Sequence, residues 1–309
     1  MTKETPAAGR IVMCGCHVGG EPVIRALLEA GHAIAHFVCL TPEQGARYAV
    51  SGYYDYRGLA EEYGIPVYHP KSYALNAPED RAFFAAHPFD LLVQGGWQRL
   101  FPEHVLSSLR VGAVGIHGSA DFLPKGRGRS PMNWSLIEGK KRFVMQLFLI
   151  RPGVDDGDVF DFEIFEITPF DDIETLYFKY SIVFRRMLLR NVSKLLAGEV
   201  ETIPQVGEPS YYPKRTPADG RIDWEHMDVW AIHDFIRAQT RPYPGAFGRV
   251  GGETLRIWRA RVFDTKLAYR GVPYGECVER FGERLVIHCR GGLLLIDEWE
   301  PDAAAEGQG

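Results

Sequence analysis

Two stretches of the chain hold the groups best suited to chemistry: G-I-H-G-S-A-D-F-L-P-K-G-R-G-R-S-P-M-N-W, from Gly115 to Trp134, and P-G-V-D-D-G-D, from Pro152 to Asp158. His117 ends the apolar run Arg110 to Gly118, which reads as a parallel strand. An imidazole at the C-terminal end of such a strand stands where open α/β sheets form their active-site crevice. Asp155 lies on a later loop that can fold back to it, and a His–Asp pair moves protons and steadies charge. Read alone, His117 fits a hydrogen-bonded structural histidine equally well. Asp155, Asp156 and Asp158 also fit a solvated turn, but not an EF-hand, whose D-x-[DN]-x-[DN]-G spacing and closing glutamate are missing. Lys125, Arg127 and Arg129, set among glycines, read as a cradle for a phosphate or as a solvated basic loop.

Other candidates are weaker. The glycine-rich turn C-G-C-H-V-G-G after the first apolar run lacks the G-x-G-x-x-G spacing of a dinucleotide site and reads as a tight βα turn. In W-Q-R-L-F-P (Trp97 to Pro102) the aromatic and apolar residues read as core. Tyr53, Tyr54 and Tyr56 fit a core cluster better than a platform for a base. The five cysteines include no C-x-x-C pair, which fits a reducing compartment and leaves no zinc site to propose.

The elements that must position these groups alternate. Apolar runs at Arg10–Gly15, Ala33–Leu40, Ile65–Tyr68, Phe89–Gly96 and Arg110–Gly118 are separated by helical patterns at Val23–His32, Tyr54–Tyr63 and Pro78–Ala86. Such βα repetition predicts a doubly wound, mainly parallel sheet. A helix from Met132, strands at Phe143–Ile150 and Val159–Ile167, and an amphipathic helix from Ile173 to about Gly198 complete the first domain. The chain thus divides into an N-terminal α/β domain (1–200), a proline-rich linker (201–220), a smaller β-rich domain of barrel type (221–301), and a tail (302–309) read as disordered. In the β-rich part, D-W-E-H-M-D-V-W-A-I-H-D-F-I-R-A-Q-T reads as a helix, and T-L-R-I-W-R-A-R-V-F, G-E-C-V-E-R-F, R-L-V-I-H-C and L-L-L-I-D-E-W as strands. The polar N-terminus reads as neither signal nor membrane span, which places the protein in the cytoplasm. A formal charge of −5 argues against a broad surface for nucleic acid or anionic lipid.

The order of motifs H-G-S-x(3)-L-P-K-x-R-G-R-x-P-x-N-W and G-V-D-x-G-D resembles the folate-dependent formyltransferases, and most closely the branch acting on aminosugar nucleotides. R-I-D-W (Arg221 to Trp224), I-R-A (Ile236 to Ala238) and P-Y-P-G-A-F (Pro242 to Phe247) are similar to the C-terminal module of these enzymes and of the tRNA-formylating ones. The likeness runs from about Ile11 to about Ile296. It implies a formyltransferase-like Rossmann domain and transfer of a formyl group from N10-formyltetrahydrofolate to a primary amine, with no metal. His117 then matches the active-site histidine and Asp155 the aspartate. Arg99, Leu100, Phe101 and Asp158 match positions at the folate, and Lys125, Arg127, Arg129, Asn133 and Trp134 are the expected substrate contacts. Amine attack builds an oxyanion that needs aimed donors.

One position departs from the pattern. The family has Asn two residues before the histidine, donating to the formyl oxygen, where this chain has Gly115. Losing such a donor costs roughly 10²- to 10³-fold in rate in other enzymes. Three readings stand: another amide (Gln94, Gln98 or Asn133) supplies the donor, a different group uses the space, or activity is low; tight strand packing alone also explains a glycine. The region from Leu40 to Tyr56 lacks the basic insertion of the tRNA enzymes. The expected acceptor is therefore an aminosugar nucleotide for a cell-surface polysaccharide such as lipopolysaccharide, with folate as the other small-molecule partner, no nucleic acid, no membrane, and a homodimer as the default assembly. An amino acid such as hydroxyornithine is the alternative acceptor, and a non-catalytic folate- or nucleotide-binding homologue the alternative role.

Overall fold

The computed structural model describes residues 10–50 and 52–302. Residues 1–9, read as a polar start, and 303–309, read as a disordered tail, lie outside the described residues. In the first domain β1 (Ile11–Gly15) is buried along its whole length, as a strand covered on both faces must be. It leads through a short 3-10 turn, capped by His17 accepting from Gly19 N at 3.0 Å, into α1 (Glu21–Glu29). This is the glycine-rich turn, and it is a βα connection. Next come β2 (Ile34–Val38) and α2 (Pro42–Arg47), the latter opened by a Thr41–Gln44 capping box. α3 (Arg57–Tyr63), β3 (Val67–Tyr68), α4 (Pro78–Ala86), β4 (Leu91–Gly95) and α5 (Glu103–Leu106) follow. Tyr56, fully buried, donates to Gly95 O at 2.9 Å, so it belongs to the core.

The site-bearing half begins at β5 (Gly112–Ser119), followed by β6 (Arg127–Gly128), α6 (Pro131–Ile137), β7 (Arg142–Leu149), β8 (Val159–Glu166) and α7 (Ile173–Ala197). The seven long-sheet strands lie in the order β3-β2-β1-β4-β5-β7-β8; the first five are mutually parallel, and β7 and β8 are antiparallel additions. The order reverses outward from β1 to β4, and the C-terminal ends of β4 and β5 open on the crevice that such a reversal creates. Asp172 and Thr175 cap each other at the start of α7, which packs its buried Leu176, Val183, Phe184, Met187 and Leu188 on the sheet.

Residues 199–220, expected as a linker, fold back over the first domain. Ile203 pairs with Val159, and β9 (Tyr211–Tyr212) pairs parallel with β6. After it, α8 (Val229–Arg237) is shorter than the helix read from Asp223 to Thr240. Asp223 turns its carboxylate onto the Glu225 and His226 amides, and Asp228 caps the helix by accepting from Ala231 N. The second module is an antiparallel sheet of β10 (Ala246–Val250), β11 (Glu253–Asp264), β12 (Cys277–Phe281), β13 (Arg284–Cys289) and β14 (Gly292–Pro301), in the order β10-β11-β14-β13-β12. β10 lies within and just beyond the P-Y-P-G-A-F motif, where no strand was read. Pro301 ends β14, and Asp302, assigned to the tail from sequence, is buried instead, in an ion pair with Arg256 and with its N–H donating to Thr254 O at 2.9 Å.

Three polar ties join the two modules. Arg237, buried on α8, donates to Thr168 O (2.9 Å) and Asp171 O (2.6 Å) of the first domain while pairing with Asp234. Asn133 Nδ2 donates to Ala238 O (2.7 Å), and the Tyr177 and Tyr243 hydroxyls share a hydrogen bond of 2.5 Å. Removing one member of a buried charged network strands the others. Arg237→Met should therefore lower the unfolding free energy by about 3–5 kcal/mol in guanidinium titrations, with Arg237→Lys recovering only part, because an ammonium lacks the planar fork that reaches Asp234 and two carbonyls together.

Candidate active site

His117 is buried, near the C-terminal end of β5. Its Nε2 lies 2.7 Å from Gly126 O. A carbonyl only accepts, so Nε2 carries the proton of that bond. The other ring nitrogen, Nδ1, faces Asp155 Oδ2 at 3.4 Å. When Nδ1 is protonated as well, the pair is an imidazolium–carboxylate bridge; when it is not, a lone pair faces the carboxylate. The arrangement places two groups able to exchange a proton side by side. Gly128 N also points to Asp155 Oδ2, at 3.5 Å. Burial, and after it the Asp155 charge, push the Tyr180 hydroxyl above its ordinary value.

Strand register explains which groups share this crevice. Across the sheet, Gly115 pairs with Phe148 and His117 with Gln146, and paired residues point to one face. The parallel pairing of β4 with β5 ends at Val93–Val114, and Gln94 and Gly115 are the next residues on the two strands. Its Nε2 donates to Trp97 O at 2.7 Å. The space that a side chain at Gly115 would occupy is filled: a Cβ there would lie 2.7 Å from Phe148 Cζ and 2.9 Å from Ile150 Cγ1. Gly115 is thus the floor beneath Phe148, and the vacated position does not admit a different polar group without repacking.

The expected substrate contacts separate into two kinds. Lys125 and Arg129 are exposed, and among the described residues neither has an ion-pair partner. Arg127 is buried instead, its guanidinium held by Gln205 Oε1 (2.5 Å) and the Tyr211 hydroxyl (3.2 Å), because β9 covers β6. The reading of three solvent-facing cations is therefore corrected to two. Gly128, with φ +101° and its backbone against Tyr212, is what lets the two short strands approach. Asn133 is spent on the intermodule tie, and its Oδ1 has no partner; the residue lines a cavity of about 110 Å³ with Arg215, Gln239 and Tyr243. Trp134 stacks on Tyr212 with ring centroids 5.7 Å apart, donates to Pro213 O, and lies under Arg215.

The expected folate contacts lie on the loop after β4. Arg99 and Leu100 are exposed, with the Arg99 guanidinium over Tyr73 at 4.6 Å. Phe101 is buried and stacks beside Trp97, so that only its backbone can face a ligand. Trp97 Nε1 is buried and without a partner. Asp158 Oδ2 pairs with Arg151 (2.7 Å), which ties down the base of the Asp155 loop. The nearby contributors missed in the sequence are Gln146, whose Oε1 accepts from Leu123 N (3.3 Å), and Gln205. Period-two alternation gives Gln146 an inward position; nothing local marks Gln205.

Two family models match the chain: Formyl transferase over residues 20–192 and Formyl transferase, C-terminal domain, over 214–306. A methionyl-tRNA formyltransferase of Enterococcus faecalis is 30% identical over 301 residues, covering 97% of this chain and 93% of that protein. An N-formyltransferase from Helicobacter canadensis, solved with folinic acid and dTDP-3-aminofucose, has a TM-score of 0.67 at 16% identity, covering 94% of this chain and 100% of its own. HypX from Aquifex aeolicus, solved with tetrahydrofolic acid, has a TM-score of 0.67 at 19% identity, covering 98% of this chain; the chain spans 47% of that HypX chain. The similarity in structure is one of fold.

Restoring the family asparagine should meet the packing described above. Gly115→Asn should destabilise the protein by about 1–3 kcal/mol through overpacking against Phe148 and Ile150. Combining it with Phe148→Ala should cost less than the sum of the two single changes, by about 0.5–3 kcal/mol in a double-mutant cycle of denaturation free energies. Strict additivity would show that Phe148 does not fill the site.

Proposed function

The chain belongs to the formyl transferase family and is a folate-dependent formyltransferase, and from that premise we propose that it formylates the primary amine of an aminosugar nucleotide. The observation that carries this reading is the pair of exposed, unpaired cations Lys125 and Arg129 on the loop whose Gly126 carbonyl holds His117. They present a compact double positive charge beside the reacting groups, suited to a diphosphate. A formal charge of −5 gives no wide basic surface to go with it. The Helicobacter neighbour, with its bound dTDP-3-aminofucose, supports the same class of acceptor.

Arg99 and Leu100, with the backbone of Phe101, would hold the folate, and the unpartnered Trp97 N–H beneath them fits a ring system rich in hydrogen-bonding edges. Bound there, N10-formyltetrahydrofolate supplies the formyl group. The chain's own task is to take a proton from the attacking amine, to deliver one to the folate N10 as its bond to the formyl carbon breaks, and to steady negative charge on the formyl oxygen. His117 and Asp155 perform the first two: the Nδ1–Oδ2 pair accepts the amine proton between its two atoms and then gives it up to N10. For the negative charge, Gln94 replaces the missing asparagine: it follows the last parallel pair of β4 and β5, Val93–Val114, as Gly115 does on its own strand, and its amide is one methylene longer than the asparagine it stands in for. Five free cysteines support a cytoplasmic setting, and the product class fits surface polysaccharide synthesis.

A second reading is favoured by the 30% identity to a methionyl-tRNA formyltransferase along nearly the whole chain: an acceptor carried on tRNA. The test is release of tetrahydrofolate from N10-formyltetrahydrofolate with dTDP-3-aminofucose, other dTDP- and UDP-aminosugars, hydroxyornithine and methionyl-tRNA as acceptors. Turnover with an aminosugar nucleotide alone is expected. Turnover only with methionyl-tRNA or the amino acid would replace the sugar reading, and tight binding of folate with no turnover for any acceptor would make the protein a binding homologue. His117→Ala should abolish amine-dependent release. Gln94→Leu should lower kcat by roughly 10²- to 10³-fold with little change in KM, the signature of a donor used in the transition state.

A further inference from the structure

The segment from Ile203 to Tyr212 crosses both loops that grip the active-site imidazole. Ile203 is pinned to Val159 by two backbone bonds, of 3.0 and 2.7 Å. Arg127 N donates to Ser210 O (2.9 Å), Gly126 N to Ser210 Oγ (2.9 Å), and Arg129 N to Tyr212 O (3.1 Å). Most of this strap faces water, with Ile203 69% and Val206 84% exposed. Gln205 turns inward. Its Nε2 donates to Asp155 O (2.8 Å) and to Gly157 O (2.7 Å), while its Oε1 accepts from Arg127 Nη2 (2.5 Å). Both amide protons are used, and both go to main-chain carbonyls of the loop that presents Asp155.

That loop needs holding. Asp155 has φ +49°, a left-handed conformation that costs a non-glycine residue about 1–3 kcal/mol and persists only where its surroundings over-determine it. One amide gripping the carbonyls on either side of Asp156 supplies that constraint, and it does so with the Asp155 carboxylate turned to His117 Nδ1. The same carboxamide, through Arg127, is tied to the loop whose Gly126 carbonyl receives His117 Nε2. The two contacts on the imidazole therefore come from two loops that one side chain registers against each other.

We propose that Gln205 is a positioning residue for the formyl transfer, a clamp that holds the Asp155 loop and the Gly126–Arg127 loop in the arrangement that grips His117. The proposal rests on the reading of His117 and Asp155 as the proton-moving pair. Gln205 acts through them and need not touch either substrate. Its effect belongs in kcat, because a carboxylate displaced by about 1 Å costs on the order of 10²-fold in the chemical step.

Two variants of the full chain test it. Gln205→Ala removes all three bonds. Gln205→Glu keeps an acceptor for Arg127 but replaces the donors to Asp155 O and Gly157 O with a carboxylate oxygen. Steady-state rates are measured with N10-formyltetrahydrofolate and dTDP-3-aminofucose, or with whichever acceptor of the panel turns over, beside thermal midpoints and amide hydrogen exchange. Both variants should lose about 10- to 100-fold in kcat with KM for each substrate within about threefold. Exchange should accelerate within residues 153–159, with the remainder of both sheets unchanged. Wild-type kcat in Gln205→Ala, full activity in Gln205→Glu, or a loss confined to KM would overturn the clamp. If the wild-type protein turns over no acceptor, the functional reading fails by itself, and the exchange of 153–159 still decides the clamp: unchanged protection in Gln205→Ala refutes it.

Discussion

The contact on which the rest of the site depends is the grip on one imidazole from two sides, Gly126 O on Nε2 and Asp155 on Nδ1. A carbonyl only accepts, so Nε2 donates to it and Nδ1 is left to face the carboxylate. That condition sets the demands on the fold. Two loops, separated by the whole of α6 and β7, must meet at one side chain within hydrogen-bonding distance, away from competing water. The antiparallel return of β7 beside β5 brings the second loop back to the crevice, and the packed strap from Ile203 to Tyr212 stops the two loops from drifting apart.

The apolar floor follows from the same geometry. Gly115, Phe148 and Ile150 form a close-packed surface next to His117 where the family pattern has an amide. Close packing is not a compressible medium, so an added side chain displaces neighbours rather than filling a gap. A donor at Gly115 itself would need Phe148 or Ile150 to move, whereas Gln94 follows the last parallel pair of β4 and β5 with no such repacking. The second module contributes from further away. Arg237, Asn133 and Tyr243 hold it against α6 and α7, the elements that frame the crevice.

Several residues kept their expected surroundings and others changed role. The expected strands and helices around β1, α4, β5, β7 and α7 stand within a few residues of their apolar periodicities, since burial on two faces, or on one stripe, selects those patterns directly. His117 and Asp155 come together, as their loop positions in an alternating βα chain allow. Arg127, expected with Lys125 and Arg129 as a substrate contact or part of a solvated loop, is buried against Gln205, and Asn133, expected at the substrate, bonds Ala238 through Nδ2 while its Oδ1 is unpartnered. In both cases the partner lies far along the chain, in a stretch with no periodic signal of its own.

From its order of residues alone, the chain determines its sheet, its pair of modules, and the histidine and aspartate that the structure brings together, because periodicity and motif spacing are local properties. Only the tertiary structure decides that a proline-rich stretch resembling a linker packs over the first domain, that Gln205 ties the Asp155 loop to Arg127, that one of three loop cations is buried, and that the place of the missing asparagine is filled by Phe148. Each of these turns on contacts between residues remote in sequence. Side-chain packing and hydrogen-bond satisfaction are settled by which surfaces meet in space, and composition and spacing do not record that.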